Sequence, residues 1–318
     1  MTEIVSTRAN PLVDPSLHVW GPEIPIYLFL GGWVAGMMVL SGLFLRRGRP
    51  GGRRSVCCRL PLYGLTLLTG GMLALFLDLE HKLYVWRLYV TWQPLSPMSW
   101  GAWILVLVYP ALLATALVDP PGMLVTRVPA VAAVSTWLAR PGPMRFLAWT
   151  NLTLGMALGF YTGILLSALG ARPLWSSALL GPLFLASGLS AAAAFAHLVA
   201  PDREESRTMA RADNAFLTIE LGLIALLVIG LATAGESQRA AAALVLGGPY
   251  TAVFWVLVVG LGIAVPLLIQ GLAVSHRIAH TPLAPVLVLL GGLALRFVIV
   301  SAGQASHWVR TSSLAGGG

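Results

Sequence analysis

From Ile24 to Gln304 the chain returns repeatedly to runs of about 20 apolar residues, the length an α-helix needs to cross the hydrocarbon core of a bilayer. Eight such runs stand at 24–45, 60–80, 98–118, 146–169, 174–199, 214–234, 250–275 and 283–303. In lipid, a backbone group without an internal partner costs several kcal/mol, so runs of this length fold as helices. The fold class is therefore all-α: an integral membrane protein with eight transmembrane helices. Polar or Gly/Pro-rich stretches such as RRGRPGGRRSVCCR and PDREESRTMARAD separate the runs. The longest connection, 119–145, is itself half apolar and too short for a soluble domain, though it has room for an interfacial helix. Residues 1–318 read as a single transmembrane domain. The first twenty residues are polar and mixed, without the apolar core of a cleavable signal peptide.

Composition agrees. Only 10% of the 318 residues are charged, against about 25% in soluble proteins. The net charge of +8 needs no nucleic acid to explain it, because the arginines crowd the connections. The first connection alone holds Arg46, Arg47, Arg49, Arg53, Arg54 and Arg59. Positive loops stay in the cytoplasm. An even number of spans then puts both termini on the periplasmic side of a bacterial or archaeal inner membrane. The two cysteines, Cys57 and Cys58, are adjacent and lack the spacing of zinc or iron–sulfur ligands. His18, His81, His276, His280 and His307 fall at span ends or in loops, leaving only His197 inside a span, so haem ligation is not expected. No haem or iron–sulfur cluster is expected within this polypeptide.

Polar residues fall in two sets. In the outer one, Trp20, Glu23 and Tyr27 recur at i, i+3 and i+7 near the start of the first span. Asp78 and His81 share a face where the second span ends, in MLALFLDLEHK. Tyr161 lies about 13 Å below the outer end of the fourth span, at 1.5 Å per residue. Arg296 is enclosed by apolar neighbours in the outer half of the eighth. Acids within spans are costly and usually functional, which marks Asp78 above the others. Glu23 also suits a helix N-terminus, Tyr27 an interfacial aromatic belt, and Glu80 and Lys82 a solvated edge. The inner set is His197, Asp213, Glu220 and His276. These groups either brace helices or form a proton path with Arg296, and the residues alone leave both open. A pocket of phenols and carboxylates between helices suits a lipid-soluble quinone, whose carbonyls need donors and whose two-electron chemistry needs two protons.

Four strings carry a resemblance: WGPEIPIYLFLGGWVAG in the first span, QPLSPMSWGAW before the third, GFYTGILLSALGARPLWSSALLGPLFLASGLSAAAA through the fourth and fifth, and GGLALRFVIVSAGQ in the eighth. They resemble the NrfD/PsrC family, membrane subunits of polysulfide reductase-like respiratory complexes, over nearly the whole chain. The resemblance implies two four-helix bundles and a quinone (menaquinone or ubiquinone) bound near the periplasmic face. It also implies electron exchange with an iron–sulfur subunit docked there, commonly one that serves a molybdopterin catalytic subunit.

By the same resemblance Tyr161 matches the tyrosine that contacts the quinone ring oxygen, and Asp78 the acid that ends the second span. Tyr27 stands where the polysulfide reductase subunit uses a histidine, and Ile24, beside Glu23, where it uses an asparagine. The family often continues DLGRP after this acid, whereas this chain reads DLEHK, so Glu80 and His81 depart from the pattern. The implied quinone contacts are Glu23, Tyr27, Asp78, His81 and Tyr161, with Asp78 and Tyr161 at the chemistry. Two other readings remain: an ion-coupled secondary transporter, and a membrane anchor with a degenerate quinone site.

Overall fold

The computed structural model describes residues 20–47, 55–79, 81–90, 93, 96–168, 172–274 and 281–308. Helix α1 is Glu23–Arg47, α2 Leu60–Asp78, α3 Arg87–Val90, α4 Pro97–Ala116, α5 Gly122–Arg127, α6 Pro129–Leu138, α7 Pro141–Ala168, α8 Leu180–Val199, α9 Arg203–Thr233 and α10 Glu236–Leu246. A π-helical stretch, Val253–Ala264, runs into α11, Val265–Val274, and α12 is Leu283–Ala305. Eight helices among these are long and apolar enough to cross a membrane: α1, α2, α4, α7, α8, α9, the π/α11 helix and α12. The protein is a multi-pass, all-α membrane protein, as the spacing of its apolar runs predicts.

The first four spans close a ring in which α1 packs on α2, α2 on α4, α4 on α7 and α7 back on α1. The last four do the same: α8 on α9, α9 on the π/α11 helix, that helix on α12, and α12 on α8. The two four-helix bundles meet where α1 and α7 press on α8 and where α1 touches α12. Lipid tails are as apolar as leucine, so packing between spanning helices depends on close approach, and small residues permit it. At Gly36 a Cβ would overlap the Gly188 carbonyl of α8, and at Gly188 one would overlap Gly32. The bundles are thus joined backbone to backbone. Alternation of the spans brings the start of α1, the end of α2, the start of α4 and the end of α7 to one face of the protein, called here the Glu23 end.

The boundaries differ from expectation in three places. Helix α9 begins at Arg203 rather than 214, because its polar first turns are already helical, with Glu204 and Glu205 placed where the helix dipole favours acids. Helix α8 begins at Leu180 rather than 174: the preceding residues form turns that bury Trp175, whose Nε1 donates to the Ile299 carbonyl of α12 at 2.9 Å. Helix α7 starts at Pro141, five residues before the expected 146. The connection 119–145 holds α5 and α6, and α10 is a further short helix between spans that hydropathy alone does not mark.

Candidate functional site

At the Glu23 end of the first bundle, α1, α2 and α7 bring Glu23, Tyr27, Asp78 and Tyr161 of the outer polar set to one end. Tyr27 and Tyr161 are both buried, at 4% and 7% exposed. Tyr161 reaches across to α4, where its ring and hydroxyl occupy the space a side chain at Gly101 would need. The SPMSWGAW motif therefore supplies the gap that lets this phenol sit inside the bundle. Tyr27 lies beside Gly71 of α2, and a Cβ there would be 3.8 Å from its ring. The Tyr27 hydroxyl is within electrostatic range of Tyr161, and Asp78 is within range of Glu23. Among the described residues no hydrogen bond engages the hydroxyl of Tyr27 or Tyr161. The Glu23 carboxylate curls back against Gly21 and is half-buried, as is Asp78.

His81 and Trp20 are placed differently. His81 is exposed, its ring centroid 6.5 Å from that of Tyr84, beyond the end of α2. Trp20 faces the second bundle. Its ring lies 5.1 Å from that of Trp175, its backbone N–H donates to Gln304 Oε1 at 3.0 Å, and its backbone carbonyl accepts from Gln304 Nε2 at 3.1 Å. Arg172 Nη1 donates to the Ser306 carbonyl at 3.1 Å. The RPLW string thus clasps the end of α12 to the start of α1. Glu80 and His276 lie outside the described residues.

The inner set forms a ladder inside the second bundle. Asp213 of α9 is fully buried and accepts from Ser190 Oγ of α8 at 2.7 Å and from Gln270 Nε2 of α11 at 2.6 Å. Two turns further along α9, Glu220 is buried within electrostatic range of Ser187 of α8 and of Arg296 of α12. Arg296 is fully buried. Its Nη2 donates to the Phe184 carbonyl at 3.0 Å, and its guanidinium lies 3.9 Å from the Phe184 ring centroid, a cation–π contact. It also adjoins α1, because a Cβ at Gly32 would lie 3.2 Å from Nη2. The arginine therefore sits where the two bundles meet, five residues along α1 from Tyr27. His197 is buried on α8, seven residues beyond Ser190.

Four polar residues escape the sequence reading. Ser187 and Ser190 sit at i, i+3 on one face of α8, Ser190 bonding Asp213 and Ser187 lying within electrostatic range of Glu220. Gln270 interrupts the apolar run VPLLIQGLAV, a signal of the kind that marks Asp78. Tyr89 of α3 is half-buried within electrostatic range of Tyr27, and its aromatic surroundings hide it.

The family model "Polysulphide reductase, NrfD" matches residues 10–307. A polysulfide reductase subunit of Wolinella succinogenes is 30% identical over 311 residues, covering 90% of this protein and 94% of the relative. Protein NrfD of Escherichia coli is 34% identical over 305 residues, covering 90% and 95%. The NrfD homolog of Haemophilus influenzae is 29% identical over 321 residues, covering 92% and 97%. With a family match across nearly its whole length, and relatives that align with it almost end to end, the chain belongs to the polysulphide reductase NrfD family.

Proposed function

We propose that this chain is the quinone-reactive membrane subunit of a respiratory oxidoreductase, exchanging electrons between the quinone pool and an iron–sulfur subunit docked at the Glu23 end. The observation that carries the reading is the convergence of Tyr27, Tyr161, Glu23 and Asp78 at that end of the first bundle. Two buried phenols without hydrogen-bond partners among the described residues are suited to a ligand that accepts hydrogen bonds. The carbonyl oxygens of menaquinone or ubiquinone are such acceptors. Phenols donate but hold their protons tightly at neutral pH, so Tyr27 and Tyr161 orient the ring. The carboxylates Glu23 and Asp78, half-exposed, exchange the protons with water.

Interconversion of quinol and quinone moves two electrons and two protons. The electrons pass to or from the iron–sulfur partner, which commonly serves a molybdopterin or other catalytic subunit. The Glu23 end is assigned to the periplasm because the arginine-rich first connection lies at the other end. With that orientation we infer a bacterial or archaeal inner membrane, with the quinone site in its outer half.

The ladder of Asp213, Glu220 and Arg296, with His197 at its inner end, is the candidate route for protons from the cytoplasm. Arg296 Nε and Nη1 and Gln270 Oε1 have no partners among the described residues. Buried polar groups of this kind recruit ordered water. A wet ladder makes the redox step electrogenic, whereas a dry one only braces the bundle.

The test is quinol oxidation or quinone reduction by the purified complex, comparing wild type with Tyr161→Phe and Asp78→Asn. With the complex intact, each variant is expected to lose about tenfold or more in turnover, which corresponds to about 1.4 kcal/mol of transition-state stabilisation. Normal turnover in both removes the assignment. Co-purification with an iron–sulfur protein separates this reading from a secondary transporter, and quinol turnover separates it from a mere anchor.

A further inference from the structure

Along the junction between the bundles, α7 changes partner. Near the Glu23 end it lies against α8: a Cβ at Gly163 would overlap the Leu180 carbonyl, and one at Gly159 the Leu185 side chain. Towards the other end it lies against α1: a Cβ at Gly155 would meet the Ala35 carbonyl at 2.8 Å, and one at Gly42 the Ala148 carbonyl at 2.8 Å. Helix α8 meanwhile continues onto another side of α1, where Ala192, Ala193 and Ala196 share a core with Met37 and Leu40. Helices α7 and α8 therefore diverge, and a crevice floored by α1 opens between them away from the Glu23 end. Exposure on α1 follows this opening: Val39 is 7% exposed, and Leu43, one turn on, is 39% exposed.

The α7 wall carries an apolar stripe. Trp149, Met156 and Phe160 recur at i, i+7 and i+11, one helix face, and all three are exposed. Thr153, between them on that face, turns its hydroxyl to the Trp149 carbonyl at 2.9 Å. From Trp149 to Phe160 the stripe runs about 16 Å at 1.5 Å per residue, the depth of one leaflet of a hydrocarbon core about 30 Å thick. Helix α8 closes its far end, where a Cβ at Gly181 would lie 3.2 Å from the Phe160 ring.

The near end of the stripe is cationic. The Arg46 guanidinium lies 4.3 Å from the Trp149 ring centroid, a cation–π contact between α1 and α7. Arg145, one turn before Trp149, is exposed on the same side of α7. A guanidinium that rests on a ring keeps the N–H donors of its edge available, and that edge matches a phosphate bidentately. Among the described residues neither Arg46 nor Arg145 has an acid or another hydrogen-bond acceptor. The elements at this end of the first bundle add Arg47, Arg59, Arg127 and Arg140, and Asp119 is the acid they carry among the described residues. Charge that only kept these connections on one side of the membrane would need no fixed seat on an indole.

We propose that this crevice binds an anionic phospholipid, its phosphate held by Arg46 and Arg145 and one acyl chain laid along Trp149, Met156 and Phe160. Basic recesses between spanning helices suit such headgroups. The excess of arginine over carboxylate disfavours a headgroup that carries its own cation. An acidic protein would meet the arginines but leave uncovered the stripe, which runs a leaflet's depth away from them. A lipid with a net negative headgroup satisfies both. Bound there, it completes the junction of the two bundles where α7 and α8 part.

Native mass spectrometry of the full-length protein in detergent, titrated with dioleoyl phosphatidylglycerol or dioleoyl phosphatidylcholine, reads the affinity for the first bound lipid. Wild type is expected to prefer the anionic lipid. Arg46→Gln and Arg145→Gln are each expected to lower its affinity roughly fivefold, the scale of one arginine near an anionic headgroup. Arg203→Gln removes the same charge from the exposed start of α9, in the second bundle, and is expected to leave the affinity unchanged. Monodisperse elution on size exclusion checks the fold of each variant. Equal affinity of wild type for the two lipids overturns the proposal. So does an equal loss in Arg203→Gln, because the arginines then act only as general surface charge. Retention of poly-glutamate by wild type and not by Arg46→Gln, with no preference between the lipids, assigns the face to an acidic protein and overturns it likewise.

Discussion

The two bundles both carry polar side chains into a protein that is 57% hydrophobic, but they treat them in opposite ways. In the second bundle the acids Asp213 and Glu220 are enclosed, and Asp213 is engaged by Ser190 and Gln270. In the first bundle Tyr27 and Tyr161 are nearly as deeply buried, yet neither hydroxyl is hydrogen-bonded to a described residue. Buried polar groups cost free energy unless they are satisfied. An acid satisfied within the protein, as Asp213 is, stabilises one packing of the bundle, whereas groups left open, the two phenols as well as Arg296 Nε and Nη1 and Gln270 Oε1 of the second bundle, are available to water or a ligand. Burial alone therefore does not distinguish a brace from a site, but the destination of the hydrogen bonds does.

The contrast presupposes that the bundles are locked together, and the strongest way to break it is to part them. Gly36→Leu puts a branched side chain where even a Cβ overlaps the Gly188 carbonyl of α8. Backbone cannot yield as a flexible side chain can, so the cost is expected to exceed the ~1–3 kcal/mol typical of overpacking. The expected outcome is loss of monodisperse protein on size-exclusion chromatography in detergent. A folded, monodisperse Gly36→Leu protein would show that the α1–α8 crossing is looser than the geometry indicates.

A smaller effect sharpens the comparison itself. Gln270→Leu removes one of the two donors to the Asp213 carboxylate while keeping an apolar side chain of similar size. Hydrogen bonds between membrane helices are worth about 0.6 kcal/mol on average and up to about 1.7, and a charged acceptor left short of a donor belongs at the upper end. The thermal unfolding midpoint of Gln270→Leu is expected to fall by several degrees, whereas that of Tyr161→Phe stays at the wild-type value. Equal midpoints for the two would mean that the ladder is no more a brace than the phenols are.

Much of this arrangement is legible in the sequence, and the exceptions have physical causes. The spans stand out because charge is nearly excluded from 20-residue stretches, and only where that contrast fades do boundaries shift. The start of α9 is hidden because its first turns are rich in charge, yet helical. The start of α8 is hidden because Trp175 extends the apolar run while folding as a turn. Asp78 is conspicuous as an acid closing an apolar helix. Gln270 sits in an equally apolar run but carries no charge, and so draws less notice although its bond to Asp213 is as short as any in the ladder. Tyr89 lies in LYVWRLYV, where an interfacial belt accounts for every aromatic. Only the packing of α3 on α4 leaves Tyr89 half-buried while Trp86 and Val90 stay exposed. That Arg296 adjoins α1 as well as α8 is a tertiary fact with no local signal.

The bundles are also tied at both ends, and the two ties differ in kind. At the Glu23 end the tie is aromatic and amide, with the Trp20 and Trp175 rings 5.1 Å apart and Gln304 bonded to the Trp20 backbone in both directions. At the opposite end, among the described residues, a carboxylate makes a tie. Glu205, in the first turn of α9, accepts from Ser55 Oγ and from the Val56 N–H, at 3.1 Å to each carboxylate oxygen for the latter, and so holds the turn that leads into α2. Because the backbone N–H remains bonded when the hydroxyl is lost, Ser55→Ala is expected to cost no more than about 1 kcal/mol. Glu205→Ala also strips the Val56 N–H of its acceptor and is expected to cost more. Hydrogen exchange at Val56 and Cys58 should therefore rise slightly in Ser55→Ala and strongly in Glu205→Ala, with exchange at Trp20 unchanged in both. If Trp20 loosens together with Val56, the two ends do not act as separate ties, and the bundles open as one cooperative unit.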